Sequence, residues 1–225
     1  MSLTKRVGEI GRTWGVVAGA LLAVVLTAGP SGAATTGQAA GTTWGSTGRI
    51  WVKGDSTLHK WSAQATSFQA RMTVPEGDKA QAPVALAREG KVKGMELILP
   101  VTKLSSGDSG LDHNMYKTLK SSKFPTIRFQ MNSYKVLPGT KPGVAFLARA
   151  TGDLTIAGVT RPVTLDLDGK SAKGGLYLTG AKALRMSDFG IKPPTFFLGT
   201  LKVADDVTVG FGLQVQEHGP ATPHS

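Results

Sequence analysis

The chain has 225 residues, a formal net charge of +11 and a pI near 10.0, and it contains no cysteine. Without thiols there are no disulfides, no thiolate metal centre and no cysteine-linked lipid anchor, so stability has to come from a packed core. Lysine and arginine are scattered from Lys53 to Lys202 without a block of five or more; that pattern fits a solvated basic surface better than a nucleic-acid groove and predicts no nucleic-acid partner.

The N-terminus reads as a targeting segment. Lys5, Arg6 and Arg12 precede an apolar run from Val16 to Leu26, and after Gly29-Pro30 come the small residues Ser31, Gly32, Ala33 and Ala34. This is the layout of a cleaved secretory signal peptide over residues 1–33. Its apolar run of about 11 residues is well short of the roughly 20 that a membrane span needs. No twin-arginine pair precedes it, which points to the general export route. Removal takes away three basic residues and Glu9, leaving a formal charge of +9. Residues 34–43, rich in Thr, Gly, Ala and Gln, read as a flexible tail. Residues 44–216 form one domain of sufficient length to bury its own core, and the Gly/Pro-containing residues 217–225 read as a disordered tail.

Within the domain the dominant period is two. Val207, Val209, Phe211, Leu213 and Val215 share one face of a strand, with Thr208, Gly210, Gly212 and Gln214 on the other. The alternation recurs at Met95/Leu97/Leu99/Val101, Ile127/Phe129/Met131, Leu154/Ile156 and Val163/Leu165/Leu167. Turn signals stand between the runs, among them Pro75-Glu-Gly-Asp78, Arg88-Glu-Gly90, Asp168-Gly169 and Lys173-Gly-Gly175. Loops this short leave no room for crossover helices, so the fold class is all-β: an antiparallel barrel or sandwich of about eight to ten strands.

From Leu111 to Lys120 the period changes. Leu111, Met115 and Leu119 recur every four residues, Asp108, Ser109 or Asp112 supplies an N-cap, and Pro125 closes the segment. One short inserted helix is predicted, placed to plug a barrel end or cover a seam. Small residues at Ala63, Ala65, Ala148, Ala150, Gly210 and Gly212 would thin the wall or its filling, and a cavity follows if they point inward.

Several short strings imitate catalytic motifs. Asp188-Phe189-Gly190 matches a kinase tripeptide, but no nucleotide loop or His-Arg-Asp loop accompanies it. Gly107-Asp-Ser-Gly110 resembles a serine-protease nucleophile loop with Ser109, for which His59 is the only upstream histidine; a turn capping the helix is the simpler reading. Gly169-Lys-Ser171 lacks the first glycine of a phosphate loop, since position 164 is Thr164. His59, His113, His218 and His224 include no pair at zinc-site helical spacing. No catalytic residue, no metal ligand and no cofactor is therefore predicted.

The segment order resembles the YceI-like family. The resemblance is carried by Gly54-Asp-Ser-Thr-Leu-His-Lys-Trp61, Met95-Glu-Leu-Ile-Leu-Pro-Val101, Phe124-Pro-Thr-Ile-Arg-Phe129, Thr151-Gly-Asp-Leu-Thr-Ile-Ala-Gly-Val-Thr-Arg-Pro-Val163, Met186-Ser-Asp-Phe-Gly-Ile191 and Asp206-Val-Thr-Val-Gly210. It implies an exported, lipocalin-like antiparallel β-barrel of about eight strands that binds a lipidic, isoprenoid-like molecule without performing chemistry, with the periplasm as its setting and the extracellular space as the alternative. The expected ligand is a hydrophobic small molecule such as an isoprenoid, quinone or fatty acid, approached from an anionic membrane surface that the basic protein would favour. On alternation and aromatic placement the expected cavity residues are Leu97, Leu99, Phe129, Leu154, Ile156, Phe189, Phe197 and Phe211. His59 and His113 would be polar anchors if they face inward. The Pro193-Pro194-Thr-Phe-Phe197 segment would form an aromatic lip or fill the core. The rival expectation is a filled barrel acting as a structural or protein-binding module, with a secreted hydrolase as a remote third.

Overall fold

A computed structural model of the chain describes residues 42–75, 78, 81–139, 141–172, 175–196 and 200–216. The expected leader and C-terminal tail lie outside the described residues. The first strand starts at Thr42, two residues inside the stretch expected to be tail.

Ten strands form one sheet: β1 (Thr42–Ser56), β2 (Trp61–Ala65), β3 (Gln69–Val74), β4 (Gly94–Pro100), β5 (Thr126–Leu137), β6 (Phe146–Ile156), β7 (Val159–Ala172), β8 (Gly175–Arg185), β9 (Thr195–Phe196) and β10 (Leu201–Gln216). Every pairing is antiparallel, and β1 pairs with β10 to close the sheet on itself. β2 and β3 pair with opposite halves of β1, at Ile50–Gly54 and Thr42–Gly45, and so act as one interrupted strand. β9 pairs only with the start of β10. The result is a closed eight-stranded antiparallel barrel with one extra strand, as the period-two pattern predicts. Closure leaves no strand of the barrel without a neighbour on each side, although the β7–β8 ladder covers only Leu167–Ala172 against Gly175–Gly180.

The hairpins follow local chemistry. Between β6 and β7 only Ala157 and Gly158 turn the chain, both at positive φ (49° and 81°). That is the conformation whose twist matches the flanking strands, and it is why a glycine stands there. In β10 the alternating residues Val207, Leu213 and Val215 are buried. The small residues expected to thin the wall divide by face. Ala63, Ala65, Ala148 and Ala150 point inward and are at most 2% exposed. Gly210 and Gly212 point outward, correcting the expectation, because they sit between inward Val209, Phe211 and Leu213. Large rings use the room: Trp51 lies over Gly210 and Tyr177 over Gly212, and Lys53 Nζ stands 4.9 Å from the Trp51 ring centre.

The inward residues separate into two layers. At the end formed by the start of β1 and the end of β10, Trp44, Val74, Leu176 and Val215 have no exposed surface. This end is stoppered by a helix the sequence reading missed, α1 (Pro83–Arg88), which buries Leu86 and Ala87 among them. Tyr134 ties α1 to the wall: its hydroxyl donates to Ala87 O at 3.0 Å and accepts from Val92 N at 3.2 Å. Burial holds the Tyr134 phenol above its ordinary pKa, against the opposing effect of the Val92 amide. At the other end lies the predicted helix, α2 (Ser109–Thr118).

Candidate functional site

Under α2 the barrel is not filled. A cavity of about 740 Å³ occupies the interior from the middle layer to the α2 end, within the size range of small-molecule sites. Its floor is set by Met95, Met131, Leu167, Leu178 and Leu213, its wall by inward residues of the strands, and its roof by Leu111, Met115 and Leu119 of α2. Helical spacing of 3.6 residues per turn puts these three on one face, so the four-residue repeat read from sequence is the cavity-facing stripe. None of the α2 residues is fully buried, since that stripe faces a void.

Two aromatic rings that would otherwise cross the lumen lie flat on glycines instead. A Cβ placed on Gly152 would stand 2.7 Å from Phe129 Cζ, and one on Gly180 would stand 2.8 Å from Phe211 Cζ. At the rim Trp61 covers Gly54 in the same way. Each ring contributes apolar surface without obstructing the interior.

α2 is fastened by polar contacts at its start. Asp108 is the N-cap, accepting from Leu111 N at 2.8 Å, which settles the choice among Asp108, Ser109 and Asp112. Asp112 instead anchors the preceding loop. It accepts from Ser105 Oγ, Ser106 N and Ser106 Oγ, each at 2.7 Å. Partial burial pushes its carboxyl pKa up, but the hydrogen bonds from Ser106 and Ser105 outweigh this and hold it below the usual range. Tyr116 donates to Leu104 O at 2.6 Å, fixing the middle of the helix to the wall.

Of the residues expected at the site, Leu97, Leu99, Phe129, Leu154, Ile156, Phe189 and Phe211 all line the cavity. His59 reaches its rim in an exposed loop, where its carbonyl accepts from Ser56 Oγ at 2.7 Å. His113 does not line the cavity and is exposed. It stands two positions from both Leu111 and Met115, about 200° around the helix from each, and so projects to solvent. Phe197 lies outside the described residues. The Asp188-Phe189-Gly190 string forms a 3-10 turn after β8 over Met186–Phe189, ended by Gly190 at φ 65°. Phe189 and Ile191 there are buried against Leu154, Ile156 and Leu119. Pro194 reaches the cavity.

The sequence reading missed the contribution of β8. Leu178, Lys182 and Leu184 face the cavity, with Lys182 opposite inward Val209 across the β8–β10 ladder. Among the described residues, no group of three or more His, Asp or Glu stands close enough to hold a metal ion. Ser109, in the first turn of α2, makes no hydrogen bond with a histidine among those residues. The arrangement offers apolar enclosure, with polar groups confined to the rim and one side of the wall.

The family model of the YceI-like domain matches residues 42–215. Among solved structures the barrel is similar to Burkholderia cenocepacia BcnA (TM-score 0.56, 17% identity, covering 74% of this chain and 94% of that one). It is also similar to a polyisoprenoid binding domain from Saccharophagus degradans implicated in plant cell wall breakdown (TM-score 0.51, 8% identity, 79% of this chain and 99% of that one). A Campylobacter jejuni YCEI protein matches at TM-score 0.50 and 17% identity, over 68% of this chain and 84% of that one. At these identities the structural likeness speaks to fold alone. No curated protein matches the chain in sequence. With the family model spanning the whole barrel from β1 into the last strand, the chain belongs to the YceI-like family.

Proposed function

We propose that this protein is a non-catalytic carrier that binds a lipidic, isoprenoid-like molecule in the barrel interior and works in the cell envelope after export. The observation that carries the reading is the apolar cavity of about 740 Å³ beneath α2, well above the roughly 300 Å³ at which ligand pockets begin. Each methylene moved from water into such a space contributes about 0.8 kcal/mol, so a few isoprene units offset the cost of association. The binding description of the Saccharophagus degradans domain supports the same ligand class. The signal-peptide pattern at residues 1–33 supports export, and the surplus of basic residues supports approach to anionic lipid; on this reading association with anionic liposomes weakens steeply as salt rises.

The test is solvent extraction and mass spectrometry of signal-processed protein purified from an envelope extract without detergent. A stoichiometric polyisoprenoid, quinone or fatty acid is the expected result. A clean apoprotein that also refuses a fluorescent lipid would return the choice to a structural or protein-binding barrel.

A further inference from the structure

The barrel wall has a gap. β7 and β8 form ladder pairs only from Leu167–Ala172 to Gly175–Gly180. Beyond that point β7 stays paired to β6 back to Val159, and β8 stays paired to β10 out to Arg185. Residues 159–166 and 181–185 therefore face each other without ladder hydrogen bonds, and a crevice lined by Arg161, Thr164, Lys182, Arg185 and Asp188 opens there. It shares Val163, Lys182, Leu184, Arg185 and Phe189 with the cavity.

The charges at this gap are unusual for the interior. Lys182 is the only charged residue at an inward-facing strand position of the cavity lining among the described residues. It is half-buried and makes no hydrogen bond or ion pair there; its interaction is a through-space attraction to Asp166. Across the gap Arg161 also has inward register, opposite Leu154. It donates only its Nε, to Asp188 O at 2.8 Å, which leaves its terminal nitrogens open. The nearby carboxylates are engaged elsewhere. Asp166 accepts from Arg149 at 2.6 Å and Asp188 pairs with Arg185 at 3.1 Å, while Asp206 lies beside Arg185 across the β8–β10 ladder and is exposed. Two cations thus flank an opening into an apolar chamber with no dedicated counter-charge. A half-buried lysine at such an opening has its ammonium free to donate to an anion that enters.

We propose that the β7–β8 gap is a head-group subsite, which takes the anionic oxygens of an amphiphile whose hydrocarbon chain fills the cavity. Lys182 donates from the wall and Arg161 from the outer rim. The ligand class is a single-chain lipid with a carboxylate or phosphate head, held through the side of the barrel and not at the mouth under α2. This rests on the carrier reading and makes it more specific.

The probe is cis-parinaric acid, whose fluorescence rises on burial, against its methyl ester, at mildly alkaline pH where the acid is ionised. Wild-type protein should bind the acid on the order of tenfold more tightly than the ester, as expected for charge-assisted hydrogen bonds. Lys182→Met should bring the acid-over-ester ratio of affinities close to one, Arg161→Met should lower it by less, and Lys182→Arg should retain most of the preference. A wild-type circular dichroism spectrum and cooperative melt certify that each variant is folded. Equal wild-type binding of acid and ester, or an equal loss of both in Lys182→Met, would overturn the subsite while leaving the carrier intact. Failure of wild-type protein to bind either probe would overturn the carrier reading, and the subsite with it. Free phosphate displacing the acid without displacing the ester would support the subsite as a general anion site.

Discussion

The two ends of this barrel are built from the same strands and come out differently. At one end α1 buries Leu86 in one cluster with Trp44, Leu176 and Val215, and none of these four has exposed surface. At the other end α2 offers Leu111, Met115 and Leu119 to a void, and none of its residues is fully buried. The stoppered end holds the barrel shut, which allows the other end to leave its hydrophobic stripe only partly packed, with Met115 and Leu119 touching the Ile50, Leu99 and Leu104 cluster at the cavity edge. Stability and ligand capacity are thereby assigned to different halves of each strand.

Substitutions can break that division. Leu86→Ala empties a fully packed position and should cost about 3 kcal/mol of unfolding free energy, whereas Leu154→Ala, beside a space that already exists, should cost less than half as much; denaturant melts of both variants decide it. Leu97→Trp places a large ring in the cavity and should abolish uptake of a fluorescent lipid while leaving the melting temperature within a few degrees of wild type. Asp108→Ala removes the α2 cap at about 1 kcal/mol. The loss should be read as faster amide exchange confined to α2, with the exchange of β1 and β10 unchanged.

The smallest effect is acid sensitivity. Asp112 has its folded pKa depressed, so it stabilises the α2 end when the pH is above its unfolded value of about 3.9, and that contribution disappears as the pH falls through the folded pKa. The protection of α2 amides, taken relative to their intrinsic exchange rate at each pH, should fall on acidification in wild type and be both lower and flatter with pH in Asp112→Asn.

Much of the α2 end was readable from sequence because its signals are periodic. Leu97, Leu99, Phe129, Leu154, Ile156 and Phe211 fall in alternating runs, and alternation is sufficient to decide which residues face in. His113 could have been excluded by the same arithmetic, since the residues on either side of it already define the helix face. α1 could not be found this way. Its six residues, Pro83–Arg88, make fewer than two turns, too few to show a period of 3.6, and the following Glu89-Gly90 reads as a turn whether or not a helix precedes it. β8 escaped because glycine and lysine occupy inward positions at Gly180 and Lys182 and interrupt its apolar alternation. The glycine is covered by Phe211 from the neighbouring strand, which is a tertiary fact and leaves no mark on the local sequence.

The rings laid flat on Gly152 and Gly180 give the lumen an adjustable calibre. An alanine at either glycine would push its ring toward the axis and would also press on strand backbone, at Gln130 O from Gly152 and at Asp166 O from Gly180 (2.9 Å), so the bore narrows with a local shift of the wall. The exchange alters what can enter without changing any hydrophobic side chain that a guest would touch. Within this architecture, pocket size can therefore drift through residues that contribute no contact surface of their own, and two barrels with identical cavity-facing hydrophobes can still differ in what they admit.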